Sequence, residues 1–242
     1  MSGHSKWSTI KRKKGALDQK RGKLFSSMGR EITISARLFG NDIDTNPRLR
    51  QAIKKAKSIN MPNANIDKAI KKGAGELENV VYEEVSYEGY GPNGVAVFIE
   101  TITDNKNRTV AEIRHVLSKF GGSLGQNGSV AWNFNKMGIV FLEDSHISEE
   151  DALDISVEMD ANDFKLEDKF FKIFFDHNAL YEKIELIEKK GIDIDSSFIE
   201  LIPKNFVDIS DEDFLTIEKL VNTLDDLEDV QNVYSNYKVE KN

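Results

Sequence analysis

Residues 138–176 read GIVFLEDSHISEEDALDISVEMDANDFKLEDKFFKIFFD, and the order of elements in this stretch decides the fold. A short apolar run over 138–142 predicts a strand, and the acidic run Glu149-Glu150-Asp151 before an apolar helical pattern predicts a helix over 148–159. Carboxylates there complement the positive end of the helix. Strands over 163–167 and 170–176, a helix over 178–190 and a strand over 197–203 complete βαββαβ, the ferredoxin-like pattern.

That unit is complete in itself. The segment before it reads as ββα, and the segment after Pro203 as a helix over 211–227 and a strand over 230–237. Neither flank closes a sheet-and-helix layer alone, so the two combine around the insertion. The expected fold class is therefore α+β and multidomain. A basic helical bundle with its leader occupies 1–78, a discontinuous α+β domain 79–135 and 204–242, and the inserted ferredoxin-like domain 136–203. A chain of 242 residues is long enough for two or three domains.

In the first flank, Tyr82, Val85 and Tyr87 mark one strand and Val95 to Thr103 another. Between them Gly89-Tyr90-Gly91-Pro92-Asn93-Gly94 formally matches G-x-G-x-x-G. A dinucleotide site needs that loop before a helix, whereas a strand comes next here and Pro92 removes an amide, so a hairpin turn is expected. A helix from about Asn107 to Phe120 buries Val110, Ile113, Leu117 and Phe120. The loop Gly121–Gly128 reads first as a connector. Its alternative reading is a glycine loop approaching a phosphate backbone. Ser129–Phe134 and Ile139–Leu142 read as strands separated by Asn135-Lys136-Met137-Gly138.

The start of the chain has a different texture. Residues 17–39 predict one helix with Leu17, Leu24, Phe25, Met28, Ile32, Ala36 and Phe39 in one stripe, and with Lys20, Lys23, Arg30 and Arg37 opposite. Asn46-Pro47 starts a second helix that buries Leu49, Ala52, Ile53 and Ala56. After Met61-Pro62-Asn63 a third helix carries Ile66, Ala69 and Ile70 and stops at Gly73. Arg48, Arg50, Lys54, Lys55, Lys57, Lys68, Lys71 and Lys72 are left mostly outside.

Charge obeys the same division. The net charge is −8, yet residues 1–75 hold 18 Lys and Arg against 5 Asp and Glu, while the remainder holds 15 against 36. The first 23 residues alone carry eight cations and one acid, Asp18. That is more than solubility needs, and it points to a polyanionic partner. Each phosphate neutralised releases counterions, and Trp7 adds a ring that can stack on a base. The residues expected to contact nucleic acid are His4, Lys6, Trp7, Lys11, Arg12, Lys13, Lys14, Lys20, Arg21, Lys23, Arg30, Arg37, Arg48, Arg50, Lys54, Lys55, Lys57, Lys68, Lys71 and Lys72. The acidic remainder should repel the polyanion and orient the contact.

Other classes are excluded or disfavoured. No G-x-S-x-G elbow, P-loop or kinase signature occurs, so no enzyme and no cofactor is expected. With no cysteine and with His4, His115, His146 and His177 far apart, no metal-ligand spacing exists. The acidic run Asp225-Asp226-Leu227-Glu228-Asp229 reads as a solvated turn. No apolar run approaches the roughly 18 residues of a membrane span, and the N-terminus lacks a signal-peptide core, so a cytoplasmic protein without a membrane partner is expected. Without a zipper or dimer seam, a monomer is the expected state.

The stretches SGHSKW, DQKRGKLF, NPRLRQAI, MPNANIDKAIKKG, YEGYGPNG, TDNKNRT, GGSLGQNGSVAW and DVQNVYSN resemble the YebC family over nearly the whole chain. The resemblance implies an N-terminal helical domain and two α+β domains, one of them ferredoxin-like and inserted in the other. It implies either a DNA-binding transcriptional regulator or, through relatives that act in translation, a factor on the ribosome. Ala64 stands where many relatives carry Asp, and Asn93 where they carry Gly, an exchange that turn geometry tolerates.

Three functions are expected in competition. A DNA-binding regulator needs an element that reads base edges, and no helix here presents an obvious reading face. A translation factor binding ribosomal RNA fits a compact basic head with a cationic leader, so the residues alone favour RNA while the family label favours DNA. The third is a protein-interaction scaffold that works through the acidic domains.

Overall fold

The computed structural model describes residues 17–77 and 81–239, with side chains from Gly22 onward in the first helix. The chain is mixed α+β, helices first and sheets after. Among the described residues no helix is long and apolar enough to cross a membrane.

Three helices open it: α1 (Leu17–Phe39), α2 (Pro47–Ser58) and α3 (Asn63–Gly73). Their apolar faces share one core, with Met28, Ile32 and Ala36 from α1, Leu49, Ala52, Ile53 and Ala56 from α2, and Ile66 and Ala69 from α3. Small residues at these positions let the helices approach closely. Buried Asn46 ties the end of α1 to the start of α2. Its side-chain oxygen accepts the Leu49 N–H at 2.9 Å, while its amide donates to the carbonyls of Ser35 and Gly40. A Cβ at Gly73 would stand 2.4 Å from the Thr33 carbonyl oxygen, so a side chain there would push α3 off α1.

β1 (Glu83–Tyr90) and β2 (Ala96–Thr103) form an antiparallel hairpin around the turn Pro92–Gly94. Asn93 sits there at φ 58°, a left-handed conformation that asparagine accepts more readily than most residues. α4 (Lys106–Lys119) and the short β3 (Ser123–Leu124) come next.

The strand expected over Ser129–Phe134 does not form. Ala131–Asn133 is a single 3-10 turn, and one continuous strand, β4 (Phe134–Glu143), runs through Asn135–Gly138 and across the expected 135/136 domain boundary. Composition reads Asn135-Lys136-Met137-Gly138 as a separator of two strands, but Gly138 serves packing. A Cβ on it would lie 2.7 Å from the Leu180 Cβ, so its absence lets a helix lie on the strand.

Contacts divide the described chain into two compact units, Phe134–Lys204 and the residues on either side of it. In the first, β4 is followed by α5 (Glu149–Glu158), β5 (Asp163–Glu167), β6 (Phe170–Asp176), α6 (Leu180–Lys189) and β7 (Ser196–Pro203). The strands lie in the order β5-β6-β4-β7, every pair antiparallel. Val140 and Leu142 of β4, and Phe171, Ile173 and Phe175 of β6, meet Ala152 and Ile155 of α5 and Leu180, Ile184 and Ile187 of α6. Alternation along each strand thus turns one face to the helices.

In the other unit the chain continues as β8 (Val207–Ile209), α7 (Asp211–Asp225), β9 (Val230–Ser235) and β10 (Tyr237–Val239). β9 completes a sheet ordered β3-β1-β2-β9, against which α4 and α7 bury Ile113, Leu117, Leu220 and Leu224. β8, which the sequence pattern does not distinguish from a loop, pairs in parallel with β10. The single strand expected over 230–237 is interrupted at Asn236, whose side chain accepts the Ala96 N–H at 2.7 Å.

Candidate nucleic-acid interface

Among the described residues, the helical head presents fewer exposed cations than its sequence suggests. His4, Lys6, Trp7, Lys11, Arg12, Lys13 and Lys14 lie outside the described residues, as do the side chains of Lys20 and Arg21. Lys54, Lys55, Lys57, Lys68 and Lys71 are exposed on the sides of α2 and α3 away from the core. Arg37 is also exposed, with Nη1 3.4 Å from the Tyr82 carbonyl oxygen. Lys23, Arg50 and Lys72 are half-buried. Arg37 and Lys72 line a cavity of about 180 Å3 together with Thr33, Gly73 and Tyr82.

Two expected contacts are spent inside the fold. Arg30 is only 7% exposed. Its guanidinium donates to the backbone carbonyl and the carboxylate of Glu228, and Asp229 Oδ1 stands 3.6 Å away. Its placement on an open cationic stripe is therefore corrected. Helical periodicity identifies only the side of α1 that faces α2 and α3. The α+β part covers α1 at Arg30, through Glu228 and Asp229, on a side that this periodicity leaves open. Arg48 is the second correction. Its Nε lies 2.9 Å from Glu31 Oε1 and its Nη2 2.5 Å from Glu84 Oε1. Burial works against its charge, but the two carboxylates outweigh that and raise its pKa above the ordinary value.

The acidic run 225–229, expected as a solvated turn, ends in a buried hub. Asp229 is 1% exposed. Its Oδ2 accepts from Arg108 Nη2 at 2.6 Å and from the hydroxyls of Thr109 at 2.7 Å and Thr103 at 3.0 Å. Burial alone would raise its carboxyl pKa, yet these donors hold it below the usual carboxylate range. Thr103 and Arg108 belong to TDNKNRT and Asp229 opens DVQNVYSN, so the two motifs are halves of one joint. A signal was present in the sequence: two threonines flanking Asn105, the residue that caps α4.

The glycine loop resolves in the same way. At its end the Gly128 amide, with those of Val130 and Ala131 just beyond, meets a carboxylate of the chain, while the amides of Gly121, Gly122 and Gly125 donate to the backbone carbonyls of Ser118, Leu117 and Glu88. Glu88, buried in β1, accepts from the N–H groups of Gly128 at 2.6 Å, Val130 at 2.7 Å and Ala131 at 2.8 Å. YEGYGPNG and GGSLGQNGSVAW are therefore a second pair of interlocking motifs, and the phosphate-loop alternative is displaced at these amides. Burial would raise the Glu88 pKa, and the three donors more than reverse it. Because the folded value is depressed, this contribution is present above the ordinary glutamate pKa of about 4.3 and fades as pH falls through the folded value. Glu88→Gln is expected to cost about 1–3 kcal/mol in urea unfolding near neutral pH, because an amide NH2 would face N–H donors. An unchanged midpoint would contradict the assignment.

Glu143, His146 and Asp195 bring potential ligand atoms within 4.8 Å of one another. Comparing histidines only with histidines misses this group. Asp195 Oδ2 accepts the Glu143 N–H at 2.6 Å, and His146 Nδ1 stands 3.8 Å from Asp195 Oδ1. The cluster accordingly clasps the end of β4 to the segment before β7.

Residues 5–76 match the family described as the TACO1/YebC protein N-terminal domain, and residues 82–237 match its second and third domain. A "Probable transcriptional regulatory protein" of Prosthecochloris aestuarii is 49% identical over 237 residues, covering 98% of this chain and 95% of that protein. One of the same description from Syntrophus aciditrophicus is 49% identical over 240 residues, covering 99% and 96%. The crystal structure of a conserved hypothetical protein, Aq1575 from Aquifex aeolicus, superposes with a TM-score of 0.84 at 44% identity, covering 93% of each chain.

Proposed function

The chain belongs to the TACO1/YebC family, and from that premise we propose that it is a nucleic-acid-binding regulator of gene expression, acting as a DNA-binding transcriptional regulator. The observation that carries this reading is the exposure of Lys54, Lys55, Lys57, Lys68 and Lys71 on the small helical head of an otherwise acidic chain. Ammonium groups on helix surfaces are phosphate contacts by chemistry, and they bind the backbone whatever the base sequence. The names of the relatives support regulation as the purpose of such binding. Asp229, Glu88 and their partners act as structural joints, and the reading needs no catalysis. The strand order β5-β6-β4-β7 under two helices supports Phe134–Lys204 as an inserted ferredoxin-like domain.

One observation favours a second reading. Apart from Arg37, whose Nη1 lies 3.4 Å from the Tyr82 carbonyl oxygen, the exposed set is made of lysines, which position a backbone more than they read base edges. That suits a factor bound to folded ribosomal RNA better than a sequence-reading repressor. Crosslinking in cells followed by sequencing of both attached RNA and DNA separates the two. Enrichment at discrete genomic sites supports the DNA regulator, and enrichment of ribosomal RNA the translation factor. Recovery of neither polynucleotide above background would sink the whole class.

A further inference from the structure

The ends of α1 and α3 meet beside Tyr82 around the cavity of about 180 Å3. Gly73 makes the meeting possible, because a Cβ there would stand 2.6 Å from the Ala36 Cβ and 3.2 Å from the Arg37 backbone nitrogen. With no side chain at 73 the two helix ends touch, and their neighbouring cations, Arg37 and Lys72, line one space.

Neither cation is consumed by the fold. Arg37 donates from Nη1 to the Tyr82 carbonyl at 3.4 Å, which engages one of the five N–H donors of a guanidinium. A lysine in the last turn of a helix commonly serves its final carbonyls. Here backbone amides already do so: Ala74 donates to Ile70 at 2.9 Å, Glu76 to Lys71 at 3.0 Å and Gly75, at φ 79°, to Lys72 at 3.1 Å. Among the described residues no carboxylate pairs with the Lys72 ammonium.

The surrounding acids are accounted for. No Asp or Glu is among the described residues that line the cavity. Glu83 and Glu84, which follow Tyr82, pair with Lys106 and Arg48. Glu228 and Asp229 hold Arg30, whose guanidinium lies 5.8 Å from the centre of the Tyr82 ring. Two like charges in one recess repel, and an anion between them relieves the repulsion. A planar fork beside an ammonium suits the oxygens of a phosphate. A cavity of roughly 150 Å3 holds a benzene molecule, so this one has room for a phosphate group and the atoms next to it.

We propose that Arg37 and Lys72 form a shared seat for one phosphate group of a polynucleotide, at the place where the helical head meets Tyr82. The inference rests on the nucleic-acid reading of the head and adds to it a site where two cations serve a single phosphate.

It is tested with the full chain by equilibrium binding of labelled oligouridine and of a mixed-sequence duplex, each with 5′-hydroxyl or 5′-phosphate ends, across a salt series. Arg37→Gln and Lys72→Gln are each expected to weaken binding about tenfold. Because both serve one phosphate, the double variant should lose little more than either single variant. Its slope of log K against log salt should flatten by one phosphate's share, about 0.7 on the single strand and about 0.9 on the duplex. Lys57→Gln and Lys68→Gln, on exposed lysines outside this cavity, should instead lose affinity additively and flatten the slope by about twice as much. A coupled loss with both kinds of end assigns the seat to an internal phosphodiester, and a coupled loss confined to 5′-phosphate ends assigns it to a strand terminus; each supports the seat. Additive losses from Arg37 and Lys72, or affinities equal to that of the unaltered chain, overturn the seat while the head reading stands. No binding of either polynucleotide by the unaltered chain overturns both.

Discussion

Asp229→Ala is expected to destabilise the chain by about 3–5 kcal/mol, the usual scale for removing one partner of a buried ionic network. The substitution leaves two threonine hydroxyls and one guanidinium aimed at an empty volume. It also leaves Arg30, buried between the helical head and the sheet, with Glu228 as the remaining carboxylate of its pair. The head is attached to the α+β part through this point and through the Ser27–Gln231 and Arg48–Glu84 contacts. Its loss should therefore lower Tm by roughly 10 °C, and urea unfolding should show the same loss of free energy.

The pH dependence distinguishes the ionised carboxylate from simple shape. Because the Asp229 pKa is depressed in the folded chain, its contribution is complete above the ordinary aspartate pKa of about 3.9 and declines only as pH falls through the folded value. The gap between the unaltered chain and Asp229→Ala should be constant from about pH 5 to 8 and should narrow in stronger acid. Asp229→Asn, which keeps the volume but not the charge, should fall between the two. A stability for Asp229→Ala equal to that of the unaltered chain would show that the hub is incidental.

Local signals made most elements legible. The span of α1, the Asn46 cap with Pro47 behind it, and the hairpin around Gly91–Gly94 arise from periodicity and turn chemistry that act within a few residues. What could not be read was the pairing of distant groups. Arg30 and Asp229 are each ordinary surface residues by local context, and they become buried because two parts of the chain far apart in sequence meet there. The packing role of Gly138 is hidden for the same reason, since its neighbour Leu180 is remote in sequence. The sequence reads Gly121–Gly128 first as a connector and as a phosphate loop in the alternative, and neither reading identifies Glu88 as the group that takes the Gly128 and Val130 amides. The quoted motifs carried this information in pairs, TDNKNRT with DVQNVYSN and YEGYGPNG with GGSLGQNGSVAW, and only the fold shows which partners which.

Charge reversal on the head should have the largest effect on binding. Replacing Lys54, Lys55, Lys57, Lys68 and Lys71 together by Glu is expected to lower affinity for polynucleotide by roughly a thousandfold near physiological salt. These side chains point away from the core, so the fold should survive, with a loss of about a few tenths of a kcal/mol for each lysine that complements a helix C-terminus. Neutralisation to Gln gives the sharper reading. At about 0.9 per phosphate on a duplex, five lost contacts flatten the salt slope by about 4 to 5, and on a single strand by about 3 to 4. The cationic leader makes the comparison decisive. If Lys11, Arg12, Lys13 and Lys14 supplied the whole grip, their replacement would remove the slope while the helix variant kept it. If the helices share the grip, each variant removes part and the two parts add. A helix variant that bound as tightly as the unaltered chain, with the same slope, would mean that α2 and α3 play no part in holding the polynucleotide.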